Sequence, residues 1–369
     1  MLRVGITGQV GFVGTHLFNT LGLFPAEFVR VPFEDAFFQS EEALCAFASS
    51  CDVIVHLAAV NRCESMQTLY DTNVGLVRQL IGALEKTDAT PHVLFSSSTQ
   101  EERENLYGQS KRDGRKLLEE WAAKHCATFT GLVVPNVFGP FGRPFYNSFV
   151  PTFAHQLIRG EEPTVQVDAE VRLIEVGSLC RAIIEAIRSP RGVRRLDVPW
   201  DFERKVSDVL GQFRHFKALY AEQGVIPCLP DRNAVNLFNT FRSYLEPRAV
   251  KLVQHSDPRG TFIETIRLGC GGQVSFSTTQ PGITRGNHFH TRKIERFTVI
   301  KGRARIQLRK VGTAEVLNFE LNGDEPAYVD MPVWYTHNIT NIGNDVLYTQ
   351  FWINEWYDPA DGDTFMELV

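Results

Sequence analysis

Two rhythms of hydrophobic positions divide this chain. Over the first part, short apolar runs alternate with stretches whose apolar residues recur at helical spacing. The runs Leu2–Thr7, Glu27–Val31, Asp52–Ala58, His92–Ser96 and Phe129–Val134 predict strands, and Thr15–Leu23, Glu41–Ser49, Thr72–Glu85 and Tyr107–His125 predict the helices between them. A continuously apolar strand such as DVIVHLA has no polar face to offer water. Strands of this kind alternating with helices predict a parallel sheet covered on both faces. From 136 to 245 the rhythm is less regular. Phe149–Arg159, Val176–Ser189, Val206–Gly224 and Ala234–Leu245 predict helices that cap the sheet and shape a substrate pocket. Near residue 250 it changes to short strand-like runs separated by Gly, Asn and Pro: Gly260–Leu268, Gly272–Thr278, Arg296–Ile300, Ala304–Arg309, Ala327–Val329 and Val346–Ile353. The expectation is an α/β domain over residues 1–245 and a smaller all-β domain over 250–369, the latter an antiparallel barrel or double-sheet jelly roll.

The length of 369 residues suits two domains, each able to bury its own core. A count of 38 Lys and Arg against 43 Asp and Glu gives a formal net charge of -5, the opposite of the basic footprint that nucleic acid requires. That balance still allows a local basic pocket for a phosphate. No run of 18 apolar residues predicts a membrane span. The N-terminus enters a strand directly, without the features of a secretory signal, so a cytoplasmic location is expected. Cys45, Cys51, Cys63, Cys126, Cys180, Cys228 and Cys270 lack metal or redox spacing and are expected to be reduced, mostly packed thiols.

The first strand leads into VGITGQVGFVGTHLF. Gly8 permits a tight turn, Gly11 removes a side chain that would block a pyrophosphate, and Gly14 lets the following helix pack closely on the strand. The helix N-terminus then faces the phosphate charge. The second strand ends in Val31-Pro32 with no acidic residue at its tip, while Arg30 and Arg62 supply positive charge for a 2'-phosphate. NADPH is therefore the expected cofactor. NADH is the alternative, with Glu34 or Asp35 as the ribose-binding carboxylate.

FSSSTQ at 95–100 ends a strand, and Tyr107 and Lys111 lie four apart on one helical face. The Lys111 charge favours phenolate and a bound oxidised nicotinamide adds positive charge nearby, so a lowered tyrosine pKa is expected. Tyr107 then donates a proton to a carbonyl oxygen as hydride reaches its carbon, with Ser98 or Thr99 holding that oxygen. In the β-rich part, His288 and His290 are two apart and share one strand face. With Glu295 and His337 they make a candidate metal site, zinc being expected and nickel, manganese or iron compatible with the same donors.

TGQVGFVG, HLAAVN, FSSSTQ, YGQSK and PNVFGP resemble the extended short-chain dehydrogenase/reductases (SDRs) of sugar nucleotides over roughly residues 1–245. The resemblance implies a Rossmann-like fold, with Gly8, Gly11, Gly14, Ala58 and Ala59 at the cofactor and Asn73 as structural support. It also implies Ser98, Tyr107 and Lys111 as the catalytic set and Asn136 at the substrate. The spacing G-x5-H-x-H-x4-E-x6-G over 282–302 is similar to the first cupin motif. Pro332, His337 and Asn341 match the second, with Trp334 standing where a glycine is usual. The implied metal ligands are His288, His290, Glu295 and His337. SDPRGTFIE at 256–264 resembles the start of cupin-type sugar epimerases, with Arg259 or Arg285 to hold a substrate phosphate.

The whole chain resembles the CapF/WbjC-type bifunctional enzymes of capsule and O-antigen precursor synthesis. That implies C3 epimerisation of a UDP-2-acetamido-2,6-dideoxy-4-hexulose in the cupin domain, followed by NADPH-dependent reduction of its C4 ketone. The implied product is UDP-2-acetamido-2,6-dideoxy-L-talose, toward UDP-N-acetyl-L-fucosamine, and the implied assembly is a homodimer. Lys293, Tyr335 and His337 are the candidate epimerisation bases. The alternatives are a single-activity 4-ketosugar reductase with a non-catalytic cupin, and a carbohydrate-binding or nicotinamide-sensing scaffold.

Overall fold

The computed structural model describes residues 1–258 and 260–369. These pack as two units, 1–152 with 165–206, and 153–164 with 207–369.

In the first unit, β1 (Leu2–Thr7), β2 (Phe28–Val31), β3 (Val53–His56), β4 (His92–Ser98), β5 (Phe129–Val134) and β8 (Val193–Asp197) form one parallel sheet in the order β2-β1-β3-β4-β5-β8. The chain steps from β1 out to β2 and then back past β1 to β3. The order reverses there, and a sheet of this kind takes its ligand at the strand ends beside such a reversal. The helices are α1 (Phe12–Leu21), α2 (Glu41–Ser50), α3 (Met66–Lys86), α4 (Leu106–Lys124) and α6 (Val176–Arg188), and of α5 (Phe149–Ile158) only residues 149–152 belong to this unit. Successive strand side chains face opposite ways. Val53 and Val55 of β3 therefore enter one core with Leu17, Leu21 and Ile183, and Ile54 enters the other with Phe47, Leu80 and Leu118. Both faces of the sheet are covered, as the apolar runs require. A small second sheet joins β6 (Asn136–Phe138), β7 (Glu170–Glu175) and β9 (Phe202–Lys205). Helix α3 starts at Met66, six residues before the expected start, because the Ser65 hydroxyl accepts from Thr68 N and caps it there.

The second unit contains two five-stranded antiparallel sheets among its described residues. One runs β11-β20-β17-β22-β15, from β11 (Ala249–Lys251), β15 (Gln273–Thr279), β17 (Glu295–Lys301), β20 (Ala327–Met331) and β22 (Leu347–Ile353). The other runs β19-β18-β21-β16-β23, from β16 (Thr284–Phe289), β18 (Arg303–Lys310), β19 (Val316–Asn322), β21 (Tyr335–Asn341) and β23 (Phe365–Met366). Val299, Val329 and Leu347 of the first sheet share a core with Ile306, Leu308 and Ile339 of the second. Two short pairs complete the strands: β10 (Val225–Ile226) with β14 (Arg267–Leu268), and β12 (Gln254–Asp257) with β13 (Gly260–Ile263). The expected strand Gly260–Leu268 is thus split between two partners.

The expected join at 245–250 marks where helices give way to strands. The packing join comes earlier, at 206–207. Helix α7 (Val206–Phe216), the π-helical turn 217–222 and α8 (Arg232–Arg242) belong, past residue 206, with the β-sheets. The reason is polar as well as apolar. Tyr220 Oη donates to Asp330 (2.6 Å), Arg242 Nη2 to the Met331 carbonyl (3.3 Å) and Asn239 Nδ2 to the Arg292 carbonyl (2.9 Å). Asp330 also receives both forks of Arg296, at 2.7 and 2.9 Å.

All seven cysteines are unpaired, but only Cys51 and Cys180 are buried, while Cys63, Cys126 and Cys228 are exposed. The expectation of mostly packed thiols is not met. Among the described residues no helix is long and apolar enough to cross a membrane.

The Arg296 side chain is 2% exposed. Asp330→Ala leaves it charged and unpaired, which is expected to cost about 3–5 kcal/mol. Urea unfolding checks this as a lower midpoint at unchanged slope.

Candidate active site and candidate metal centre

The glycine loop lies at the end of β1, beside the reversal in strand order. Gly8 has φ +70° and a Cβ there would lie 2.9 Å from the Ala58 backbone. A Cβ at Gly14 would lie 2.2 Å from the Gly8 carbonyl. Neither position admits a side chain, so the loop stays a bare backbone cradle at the start of α1, suited to a pyrophosphate. Ala58 N donates to Thr7 Oγ1 at 3.3 Å, tying the β3 loop to this cradle, and Ala59 follows it. The Arg30 guanidinium stacks on Phe18 at 4.4 Å and donates to its carbonyl at 3.3 Å. Arg62 donates to the Phe145 carbonyl at 2.5 Å. Glu34 and Asp35 are exposed beyond the strand tip.

Ser98 ends β4, and Tyr107 and Lys111 sit in the first turns of α4, which Asn105 caps by accepting from Gly108 N at 2.7 Å. The structure brings all three together. Ser98 acts on the Tyr107 phenol, pulling its pKa down, whereas Thr99 is exposed, which separates the two hydroxyls left open by the sequence. Lys111 is buried, donates to the Ser96 carbonyl at 3.0 Å, and lies 5.9 Å from the Tyr107 ring centre. Burial alone pushes its pKa down to about 8.

The expected lowering of the Tyr107 pKa is not found in the chain's own field. Burial of the phenol pushes it up to about 12, against the pull of Ser98 and with Tyr146 adding to the rise. A phenol in this state is a proton donor at neutral pH. Asn136 is exposed on β6. Asn73 bridges the Val60 backbone, accepting from its N–H (2.7 Å) and donating to its carbonyl (3.0 Å), and also donates to Ser110 (3.2 Å).

Sequence reasoning missed the support beneath this cluster. Glu101 is 2% exposed, accepts from Ser97 at 2.6 Å and from Arg115 at 3.1 and 3.2 Å, and so anchors the turn after Ser98. A Cβ at Gly108 would lie 1.9 Å from the Gln100 carbonyl, so only glycine lets α4 close on that turn. Glu101 carries no motif. Gly108 stands within YGQSK, but nothing in its spacing reveals the contact.

In the second unit, one donor atom each from His288, His290, Glu295 and His337 lies within 4.8 Å of all the others. His288 and His337 are cross-strand partners in one sheet, and Glu295 comes from the other. A bulge between Gly286 and His288 resets the pleat of β16 just before the first histidine. Trp334 takes the place of the usual glycine and keeps its backbone, at φ +61°. The indole is buried and stacks on Phe289, and Trp334 N donates to the His290 carbonyl at 2.7 Å.

The charges of the cluster point to a cation. His290 Nδ1 faces the Asp363 carbonyl at 2.5 Å and His337 Nδ1 faces the Tyr335 carbonyl at 3.1 Å. A carbonyl has no proton to give, so both Nδ1 atoms carry hydrogen. With neutral rings both Nε2 atoms turn lone pairs toward Glu295 Oε2, at 3.1 and 3.2 Å, and that arrangement is relieved by a proton on an imidazole or by a bound metal. Acceptors facing acceptors in a buried site need a positive charge between them. Burial pushes His288 down to about 4, helped by the neighbouring His337 and His290. It acts in the same direction on His290, but the Glu295 carboxylate outweighs it and the net shift is upward. Glu295 itself is held below the usual carboxylate range: burial would raise it, and the two histidines outweigh that. The donor set fits a divalent metal such as zinc.

Of the remaining expected residues, Arg285 is exposed on β16, and Arg259 lies outside the described residues. Lys293 is 3% exposed and donates to the Gly362 carbonyl at 2.5 Å. Burial pushes the Tyr335 phenol up, with Glu315 adding to it.

The profile of the NAD dependent epimerase/dehydratase family matches residues 4–198, and that of the polysaccharide biosynthesis C-terminal domain matches residues 255–365. The chain is 32% identical to the UDP-2-acetamido-2,6-beta-L-arabino-hexul-4-ose reductase of Pseudomonas aeruginosa, over 99% of its own length and 98% of that protein's. It is 26% identical to the spore coat polysaccharide biosynthesis protein SpsL of Bacillus subtilis, over 31% of this chain and 82% of that one. Among solved structures it is similar to the capsular polysaccharide assembling protein CapF of Staphylococcus aureus, with 33% identity, a TM-score of 0.61 and full coverage of both chains.

Two glycine substitutions test the packing of the first site. Gly108→Ala forces α4 off the turn at Gln100 and is expected to cost about 1–3 kcal/mol. Gly75→Ala on α3, where a Cβ meets nothing within 4 Å, is expected to be neutral or to stabilise by up to about 1 kcal/mol. Thermal unfolding of the two variants checks the contrast.

Proposed function

Since this chain belongs to the NAD dependent epimerase/dehydratase family and, over its full length, to the CapF-type enzymes, we propose that it reduces the C4 ketone of a UDP-linked 4-keto sugar and inverts the neighbouring C3. The observation that carries the reading is the end-to-end similarity to a UDP-hexulose reductase, combined with the grouping of Ser98, Tyr107 and Lys111 at the sheet's ligand-binding edge. The proposed substrate is UDP-2-acetamido-2,6-dideoxy-4-hexulose and the proposed product UDP-2-acetamido-2,6-dideoxy-L-talose.

Tyr107 is the proposed acid. Its burial keeps the proton on the phenol until the C4 oxygen takes it. Ser98 holds that oxygen, and the Lys111 ammonium stabilises the phenolate left behind. The nicotinamide, when bound, supplies the hydride. NADPH is the proposed form, since the tip of β2 at Val31-Pro32 offers no carboxylate to the adenosine ribose and Arg30 lies one residue before the strand's end.

For the second unit we propose a cupin-type metal centre of His288, His290, Glu295 and His337, with zinc as the metal. When bound, the metal supplies electrophilic polarisation of the ketone. The ketone makes the C3 proton acidic, so its loss gives an enolate and its return to the other face inverts the carbon. Reduction has to come second, because it removes the carbonyl that activates C3.

One observation favours a narrower reading, a reductase with a structural metal. His290 and His337 are 4% and 0% exposed, and a closed site is usual for structural zinc.

Incubation with the UDP-4-ketosugar in deuterated buffer separates the two readings. Without NADPH, an epimerase incorporates deuterium at C3, whereas a reductase alone leaves that position untouched. Tyr107→Phe is expected to lower reduction by about 10²–10⁴-fold while exchange continues. His290→Ala is expected to abolish exchange. Normal reduction by Tyr107→Phe would remove Tyr107 from its role.

The pH profile gives an independent check. Lys111 is cationic below its pKa of about 8 and neutral above it. Reduction is therefore expected to be sustained at neutral pH and to fall as pH rises through about 8, well before Tyr107 itself ionises.

A further inference from the structure

Asp363 is the last acidic residue before β23, and it is 7% exposed with its backbone at φ +40°. Aspartate tolerates that left-handed conformation because its short polar side chain bonds locally. Here the side chain bonds across the fold instead. Oδ1 accepts from Thr291 N at 3.1 Å and Thr291 Oγ1 at 2.6 Å, and Oδ2 accepts from Arg292 N and Lys293 N, both at 2.9 Å. One carboxylate thus gathers every backbone N–H of the three residues that follow His290. The main-chain carbonyl of the same residue accepts from His290 Nδ1.

These bonds fix two things at once. The carboxylate sets where the loop 291–293 lies against the segment that carries Asp363. With that distance set, the carbonyl holds the imidazole rotation and keeps hydrogen on Nδ1, leaving Nε2 directed at Glu295 Oε2, 3.1 Å away. The surrounding contacts brace the same segment. Lys293 Nζ donates to the Gly362 carbonyl, Arg292 donates to Asp361 Oδ1 at 2.8 Å, and Met366 pairs with His288 in register. A ligating histidine depends on what its other ring nitrogen bonds.

We infer that Asp363 is a positioning residue for the metal-binding imidazole of His290, acting through the loop 291–293 and its own carbonyl. This rests on the proposed metal centre. It goes beyond that proposal by giving the C-terminal segment a defined part in metal affinity. The Asp363 carboxylate does not itself join the cluster, so it tunes the site without being a ligand.

Two measurements on the full-length protein test this. The first needs no metal: nitrogen-15 NMR of the metal-free protein labelled at histidine, with the His290 signal assigned through His290→Ala. The wild type is expected to show a single tautomer with hydrogen on Nδ1, and Asp363→Ala a mixture of tautomers. The second is titration with cobalt(II) followed by visible absorbance. Asp363→Ala is expected to weaken cobalt binding about 10–100-fold. Asp363→Asn, which keeps Oδ1 and loses the Oδ2 acceptor, is expected to fall between it and the wild type. Asp358→Ala, at an exposed position ahead of that segment, is expected to bind as the wild type does.

A lower melting temperature for Asp363→Ala with an unchanged tautomer and unchanged cobalt affinity would overturn the inference, since a merely structural role predicts that result. If the wild type takes up no cobalt, the metal reading fails on its own, and the tautomer measurement still decides the role of Asp363.

Discussion

A charge taken out of water has to be met by a partner, and both units of this chain are organised around that constraint. The Lys111 ammonium is met by the Ser96 carbonyl at the end of β4, and Glu101 by the Ser97 hydroxyl and the Arg115 guanidinium. In the second unit Arg296 and Asp330 answer each other, and Tyr220 closes the group from outside the sheets. Glu295 is different. Its oxygen faces two imidazole nitrogens at 3.1 and 3.2 Å, an arrangement that calls for a positive charge, either a proton on a ring or a bound cation.

The two sites use burial in opposite ways. Around Tyr107 it disfavours ionisation, raising the phenol and depressing the lysine. Around His290 and His337 it keeps solvent away from imidazoles that face a buried carboxylate. Under the proposed function one ketone links them. It acidifies the neighbouring carbon for the second unit, then accepts hydride in the first, and the chemistry runs only in that order.

Much of the candidate chemistry was legible because its residues sit close together in the sequence. Tyr107 and Lys111 meet through one helical turn, and His288 and His290 through one strand repeat. The glycines at 8 and 14 announce a turn at which those two positions admit no side chain. What escaped was support from residues without a motif. Glu101 and Asp363 act on neighbours 14 to 73 positions away. A carboxylate that accepts hydrogen bonds from a distant loop looks in the sequence like any other surface acid. The tyrosine pKa went astray for a related reason: the four-residue spacing revealed Lys111, but not the depth of burial, which is the larger effect.

Apolar periodicity was sufficient to separate a parallel α/β region from an antiparallel β region, because it records which faces each element must hide. Local spacing was likewise sufficient to nominate the reductase triad and the metal donors. The tertiary structure alone decided that residues 207–245 pack with the β-sheets: Tyr220, Asn239 and Arg242 carry no motif, and their hydrogen bonds to Asp330, Arg292 and Met331 tie the segment there. It also decided that Trp334 serves where a glycine is usual: a left-handed backbone is costly for a bulky residue, and the buried stack on Phe289 and the bond from Trp334 N to the His290 carbonyl hold it there.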